Sequence, residues 1–127
     1  MRVLMCTEKG LGLSPEEQWQ LINACESNGF ALDILGFCHA TSIFNYPVGH
    51  YDYYFLVVDY PRLISAALLF EDISKVTVLY CGFEAESIVA SAQTTVNLFS
   101  ELNIVSAELL NLDTLQSKLT EVYSGEL

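Results

Sequence analysis

A glycine-containing loop near the start of the chain has the residue types of an anion site. It follows the apolar run M-R-V-L-M-C and reads T-E-K-G-L-G-L-S-P-E-E, so it leads from a predicted strand into a predicted helix N-terminus. Free backbone N–H groups and the helix dipole favour an anion at such a place. Gly10 and Gly12 would let the backbone approach a phosphate closely, and Ser14 could donate its hydroxyl. The alternative interpretation is a glycine turn that only connects strand and helix.

Side chains of the kinds that bind zinc follow several predicted strands. They are Cys6, Cys38, His39, Asp59 and Cys81. The four cysteines of the chain lie far apart and form no C-x-x-C pair or finger-like ladder with histidine. We therefore predict reduced thiols and no metal site.

Strand-like and helix-like segments alternate along the whole chain, which is the pattern of βαβ units. The run Y-Y-F-L-V-V is typical of a central parallel strand covered on both faces. The predicted strands are Val3–Cys6, Ala31–Phe37, Tyr53–Val58, Lys75–Cys81 and Val105–Leu110. Helices are predicted to begin at Pro15, to extend from Pro61 to about Glu71 and from about Glu84 to Leu102, and to follow Asp113 as an N-cap.

The first helix has the clearest local signals. Ser14 is a good N-cap, Pro15 suits the first helical position, and Glu17 completes an S-x-x-E capping box. Asn28 and Gly29 supply a left-handed stop. The apolar stripe predicted to face the core consists of Trp19, Ile22 and Cys25, with Leu21 beside them.

These elements predict one α/β domain over residues 1–127, with a five-stranded parallel sheet in a three-layer α/β/α sandwich. In open sheets of this kind, ligands bind at the carboxyl ends of the strands. The residues expected at that edge are Cys6, Thr7, Glu8, Cys38, His39, Asp59, Tyr60, Cys81, Gly82, Phe83, Asn111 and Asp113. We therefore expect the working surface to lie there.

Three stretches resemble the flavodoxin family, across nearly the whole chain. They are M-R-V-L-M-C followed by G-L-S, then H-Y-D-Y-Y-F-L-V-V, and K-V-T-V-L-Y-C-G-F-E-A-E-S. The resemblance implies the flavodoxin-like strand order 2-1-3-4-5 and an FMN site at the carboxyl edge. The FMN-binding residues that it implies are Thr7, Gly10, Gly12, Ser14, Tyr60, Gly82 and Phe83. The phosphate loop departs from the family, because K-G-L-G-L stands where the family has a cluster of hydroxyls.

The stretch Y-D-Y-Y-F-L-V-V-D-Y-P also resembles the third strand of response-regulator receiver domains, a family with the same fold. This resemblance implies that Asp59 is the phospho-accepting residue. The other positions that receiver phosphorylation uses are changed. An acidic pair is replaced by Thr7 and Glu8, a Ser or Thr by Cys81, and the residues after the fifth strand contain no lysine. The pattern indicates a pseudo-receiver that works by binding partners.

Cys6 stands where the phosphocysteine carriers of sugar phosphotransferase systems, which this segment resembles, have their reactive cysteine. In those proteins the thiolate would be activated by backbone N–H groups and the helix dipole. Low-molecular-weight tyrosine phosphatases begin similarly, but they need an arginine that this loop lacks. A cysteine at a strand end is alternatively a small buried hydrophobic residue.

Charge restricts the classes of partner. Five basic residues against sixteen acidic ones give a net charge of -11, which repels nucleic-acid backbones and anionic lipid surfaces. The same charge favours electrostatically steered encounters with a basic patch on another protein. The short N-terminal apolar run fits neither a secretory signal nor a membrane span, so we expect a cytoplasmic protein. A homodimer is left open.

Three functional hypotheses follow from these observations. The first is a non-enzymatic regulatory or protein-interaction domain, of degenerate flavodoxin-like or pseudo-receiver type, that acts through the carboxyl edge of the sheet and its acidic helices. The second is a small FMN-binding electron carrier. The third is a phosphoryl carrier that uses Cys6.

Overall fold

A five-stranded parallel β-sheet lies at the centre of the computed structural model. The structure describes residues 1–8, 13–37, 51–58, 73–82, 84, 86–87, 89–90 and 103–123. The strands are β1 (Arg2–Glu8), β2 (Ala31–Phe37), β3 (Tyr53–Val58), β4 (Val76–Cys81) and β5 (Asn103–Ala107). They lie in the order β2-β1-β3-β4-β5, and every neighbouring pair is parallel. The predicted flavodoxin-like strand order is confirmed.

The bounds of β2 and β3 agree with the prediction, whereas three other strands differ at their ends. The prediction ended β1 too early, because Thr7 still pairs with Gly36 in β2 and with Val57 in β3. A short 3-10 helix, Ile73–Lys75, takes the residue predicted to begin β4. The observed β4 and β5 are Val76–Cys81 and Asn103–Ala107, against predictions of Lys75–Cys81 and Val105–Leu110.

Two described helices, α1 (Pro15–Ser27) and α2 (Leu112–Tyr123), cover one face of the sheet. Because side chains alternate along a strand, every second residue of each strand points towards them. The buried residues of this layer are Val3, Met5, Leu21, Cys25, Phe30, Leu32, Phe55, Val57, Leu79, Cys81, Leu115, Leu119 and Tyr123. The helices predicted between β3 and β5 lie largely outside the described residues. In the second of these predicted helices, residues 86, 87, 89 and 90 are described, and they are helical.

The first helix begins and ends where its local signals predict. The Ser14 hydroxyl accepts a hydrogen bond from the Glu17 backbone N–H at 3.1 Å, and the Glu17 carboxylate accepts one from the Ser14 N–H at 3.1 Å. This reciprocal pair is the capping box. Gly29 has a φ of 96°, a left-handed conformation that costs glycine little and ends the helix.

The inward stripe predicted for α1 is wrong in one residue. Leu21 and Cys25 are buried, but Trp19 is 66% exposed. Successive helical residues are rotated by roughly 100° about the helix axis, so residues two positions apart lie on nearly opposite sides of the helix. The sheet covers the side that carries Leu21, and Trp19 therefore faces solvent.

The N-cap of α2 is Asn111 rather than the predicted Asp113. The Asn111 side-chain oxygen accepts a hydrogen bond from the Thr114 N–H at 2.8 Å, and the Leu115 N–H donates to the Asn111 carbonyl at 3.0 Å. Asp113 lies in the first turn, where its charge is favourable to the helix dipole. The helix starts earlier because β5 ends earlier than predicted.

Tyr123 joins the last turn of α2 to the sheet and to the segment before β2. Its ring centroid lies 5.6 Å from that of Phe30, 5.6 Å from that of Tyr53 and 6.1 Å from that of Phe55. Its hydroxyl donates a long hydrogen bond, 3.5 Å, to the Tyr54 carbonyl. Tilted aromatic pairs at these distances add attraction beyond the burial of their area.

Replacement of Tyr123 should separate ring packing from the hydroxyl. We expect Tyr123→Ala to lower the free energy of unfolding by about 3–5 kcal/mol, because the large ring leaves a cavity. Tyr123→Phe keeps the three ring contacts and should cost no more than about 1 kcal/mol. Urea denaturation followed by circular dichroism measures both. Equal losses in the two variants would contradict the role assigned to the ring.

The capping box gives a smaller and more local prediction. Ser14→Ala removes the acceptor for the Glu17 N–H and should lower the free energy of unfolding by about 1 kcal/mol. Ser27 is a matched control, because it is an exposed serine at the other end of α1 whose hydroxyl donates to the Asn23 carbonyl at 3.0 Å. Ser27→Ala should change stability by less than about 0.5 kcal/mol in the same urea titration. If Ser27→Ala lowered the free energy of unfolding as much as Ser14→Ala does, capping would not be the cause of the loss in Ser14→Ala.

Candidate functional site

The carboxyl edge of the sheet, defined by the last residues of the five strands and the loops that follow them, brings together part of the predicted site. The predicted residues that are described there are Cys6, Thr7, Ser14, Cys81, Gly82, Asn111 and Asp113, with the backbone of Glu8. Those that lie outside the described residues are Gly10, Gly12, Cys38, His39, Asp59, Tyr60 and Phe83.

Cys6 is a core residue and not a surface nucleophile. Its side chain is 0% exposed, and its backbone pairs with Leu35 in β2 and Leu56 in β3. Burial raises the pKa of the Cys6 thiol from 9.0 to about 12. At neutral pH the thiolate, which is the nucleophilic form, is therefore much rarer than in an ordinary cysteine.

The two cysteines proposed as shared soft ligands point to opposite faces of the sheet. Cys81 belongs to the layer under α1 and α2 together with Met5, the residue next to Cys6 in β1. Because adjacent strand residues point to opposite faces, Cys6 faces away from that layer. No disulfide joins the described cysteines, and among the described residues no three His, Cys, Asp or Glu side chains are placed to hold one metal ion.

Thr7 and Gly82 both take part in the backbone pairing of the sheet. Thr7 is 2% exposed, and its backbone pairs with β2 and β3. The Gly82 N–H donates to the Ala107 carbonyl at 3.0 Å, so it extends the pairing of β4 with β5. A bound phosphate or flavin would have to compete with that hydrogen bond for the Gly82 N–H.

The N-terminus of α1 is already supplied with acceptors. The Ser14 hydroxyl and the Glu17 carboxylate form the capping box, and Glu16 adds a second carboxylate in the first turn. Carboxylates here interact favourably with the helix dipole but repel an incoming anion. The Ser14 hydroxyl therefore has a structural partner, and a phosphate would meet negative charge.

The feature that sequence reasoning missed is an acidic cleft beside β4 and β5. This cleft, which we call the acidic cleft, has a volume of about 420 Å³. Its lining residues are Glu84, Glu86, Ser87, Ser106, Ala107 and Glu108. Its three glutamates are exposed. The signal in the sequence was the position of E-A-E-S and A-E-L directly after two strands, where parallel strands must share one edge.

Two further features distinguish this part of the carboxyl edge. Glu84 has a φ of 56°, a left-handed conformation that is uncommon outside glycine and costs of order 1 kcal/mol or more. Leu109 follows Glu108 and is 70% exposed. An exposed leucine thus stands directly beside the acidic cleft.

The described basic side chains lie elsewhere on the molecule. Arg2 begins β1 at the opposite edge, where its guanidinium lies 3.4 Å from the Asp33 carboxylate and 5.0 Å from the centre of the Tyr51 ring. Lys75 precedes β4 at that same edge, and Lys118 pairs with Glu121 within α2 at 3.8 Å. The acidic cleft therefore has no basic residue among the described side chains that line it.

Comparison with known proteins finds likeness in the fold but not in the sequence. No family model matches the chain, and no curated protein matches it. A crystal structure of a response regulator from Colwellia psychrerythraea superposes with a TM-score of 0.56 at 14% sequence identity. The match covers 99% of this chain and 98% of that one.

In the described part of the chain, no helix is both long and apolar enough to cross a membrane. The parallel sheet in the order 2-1-3-4-5 and the likeness over nearly the whole length agree on one architecture. The chain has a flavodoxin-like α/β fold, the fold that this response regulator also has.

Proposed function

We propose that this chain is a non-enzymatic regulatory domain of pseudo-receiver type, which binds another protein through the carboxyl edge beside β4 and β5. The fold supports a regulatory role, because the structure that it resembles is described as a response regulator. The observation that carries the proposal is the acidic cleft, which occupies the edge where open α/β sheets bind their ligands.

The chemistry of the acidic cleft selects the partner. Glu84, Glu86 and Glu108 present three carboxylates around one cleft, and the net charge of -11 extends the attraction for cations beyond it. The exposed Leu109 adds an apolar side chain beside these carboxylates. A partner surface with lysine or arginine side chains around an apolar residue is complementary to this arrangement.

The residues described at the edge also argue against phosphoryl chemistry. Cys6 is buried in the neutral form, Cys81 is buried under α1 and α2, and the Asn111 side chain caps α2. A phosphocysteine carrier needs an accessible thiolate, and receiver phosphorylation uses polar and basic groups at the other two places. A domain that keeps the fold and binds a partner needs none of these groups.

The FMN and Asp59 hypotheses stay predictions. The aromatic pair Tyr60 and Phe83, the glycines of the first loop and Asp59 itself all lie outside the described residues. The described members of the FMN set, Thr7, Ser14 and Gly82, make the structural interactions given above. The protein-binding proposal therefore rests on the described residues, and the FMN alternative on the resemblance.

Neutralising the acidic cleft tests the proposal directly. Affinity capture from the native cell would be run in parallel with the wild-type chain, with Glu84→Gln/Glu108→Gln, and with Asp52→Asn/Glu121→Gln. The control pair changes the net charge equally, but its exposed residues lie before β3 and near the end of α2, away from the carboxyl edge. We expect a partner retained by the wild type and the control to bind the cleft variant about tenfold more weakly, since each exposed charge contributes up to about 1 kcal/mol.

The affinity of the captured partner would then be measured with purified proteins by titration calorimetry at several salt concentrations. The wild-type affinity should fall as salt rises, and it should fall less steeply in the cleft variant. Equal affinity of the cleft and control variants for every captured protein would refute the proposal.

Cys6 provides a separate test, of the phosphoryl-carrier hypothesis. Because its pKa is raised in the folded state, the neutral thiol stabilises the fold fully below pH 9.0, and this contribution is lost as the pH rises towards about 12. We expect iodoacetamide at neutral pH to leave Cys6 unmodified in the folded protein and to alkylate it in urea. Peptide mapping by mass spectrometry distinguishes Cys6 from the other cysteines. Rapid alkylation of folded Cys6, or its phosphorylation by a phosphodonor, would restore that hypothesis.

A further inference from the structure

A second candidate binding surface lies on the outer face of α1. Trp19 is 66% exposed in the middle of this helix, and it is the single tryptophan of the chain. Residues three and four positions away in a helix are its surface neighbours, so the exposed residues Glu16 and Asn23 flank Trp19. We call these residues, together with Glu26 one turn further, the Trp19 face.

The described part of the fold gives no structural reason for a tryptophan at this position. The inner side of α1 is completed by Leu21 and Cys25, which are 0% and 1% exposed. The helix begins with its capping box and ends at Gly29 without help from the indole. A large aromatic side chain that is left in water instead has the properties of an interface anchor, because tryptophan is enriched among the residues that dominate binding energy.

The charges of α1 determine what such an anchor would meet. The helix carries Glu16, Glu17 and Glu26 and has no lysine or arginine in its sequence P-E-E-Q-W-Q-L-I-N-A-C-E-S. An indole face attracts arginine and lysine through its ring quadrupole, and neighbouring carboxylates add to that attraction. The Trp19 face is thus complementary to a cationic side chain held against an apolar surface.

We propose that the Trp19 face binds a basic segment of another protein, with an arginine or lysine side chain against the indole and further cations beside Glu16 and Glu26. A second copy of this chain does not fit, because two α1 helices and two chains of net charge -11 would repel each other. The surface is separate from the acidic cleft, which β4, β5 and the residues after them form.

The test uses Trp19 as its own reporter. The probe is a synthetic helical peptide without aromatic residues, with leucine on one face and arginine on the other, and the matched control peptide has glutamate in place of arginine. We expect the arginine peptide to shift the tryptophan emission to shorter wavelength and to protect it from acrylamide quenching. The glutamate peptide should do neither.

Affinity is then compared between variants by titration calorimetry. Trp19→Ala should weaken binding of the arginine peptide by about 30-fold, as expected for an interface anchor. Glu16→Gln/Glu26→Gln should weaken it less and reduce its salt dependence. All titrations use the Glu84→Gln/Glu108→Gln background, which removes the acidic cleft as a second site for the arginine peptide. In that background Gln116→Ala, a change of an exposed side chain of α2, should leave the affinity unchanged.

Circular dichroism and thermal unfolding would establish that Trp19→Ala is folded, which its exposure leads us to expect. Unchanged peptide affinity in folded Trp19→Ala, or equal binding of the glutamate peptide, would overturn the proposal. A dimer in sedimentation velocity that Trp19→Ala converts to a monomer would also overturn it, because the occupant would then be a second copy. Because the titrations are made with the acidic cleft neutralised, failure here leaves the acidic cleft to be judged by its own experiment.

Discussion

Burial of β3 on both faces is the constraint on which the rest of the structure depends. Phe55, Leu56, Val57 and Val58 are all buried, so side chains pointing in both directions from one strand are removed from water. A parallel strand of this kind needs neighbours on both sides and crossovers that return each chain segment to the same starting edge. All strands therefore end at one edge. The loops at that edge can vary without disturbing the core, and it is the edge where open α/β sheets bind their ligands.

Local signals were sufficient for some elements and insufficient for others. The capping box at Ser14, the stop at Gly29 and the apolar run of β3 are written in adjacent residues, and their positions were predicted correctly. The orientation of Trp19 and the cap of α2 were not, because two arrangements satisfied the same sequence. Either side of α1 carried apolar residues, and both Asn111 and Asp113 are good caps. The packing of α1 on the sheet determined which side of that helix is buried, and the end of β5 determined which residue caps α2.

The predicted functional site stays a prediction, but the structure shows that some of its residues lie elsewhere than the sequence suggested. One longer strand explains much of the difference. Because β1 continues to Glu8, Cys6 and Thr7 lie inside the ladder and not in the loop that follows it. The carboxylates of Glu84 and Glu108 were present in the sequence, but only the pairing of β4 with β5 shows that they share a cleft. The composition showed the net negative charge, whereas the position of these carboxylates around one cleft follows only from the fold.

The acidic character of the carboxyl edge has opposite consequences for two classes of ligand. A phosphate-bearing molecule approaching the edge meets Glu16 and Glu17 at the start of α1 and Glu84 and Glu108 beside β4 and β5, each of which raises the free energy of its binding. A cationic protein surface is attracted by the same four carboxylates. This difference agrees with the proposal that the edge binds a protein with lysine or arginine side chains, since a change of charge can alter which ligands a scaffold attracts without altering its fold.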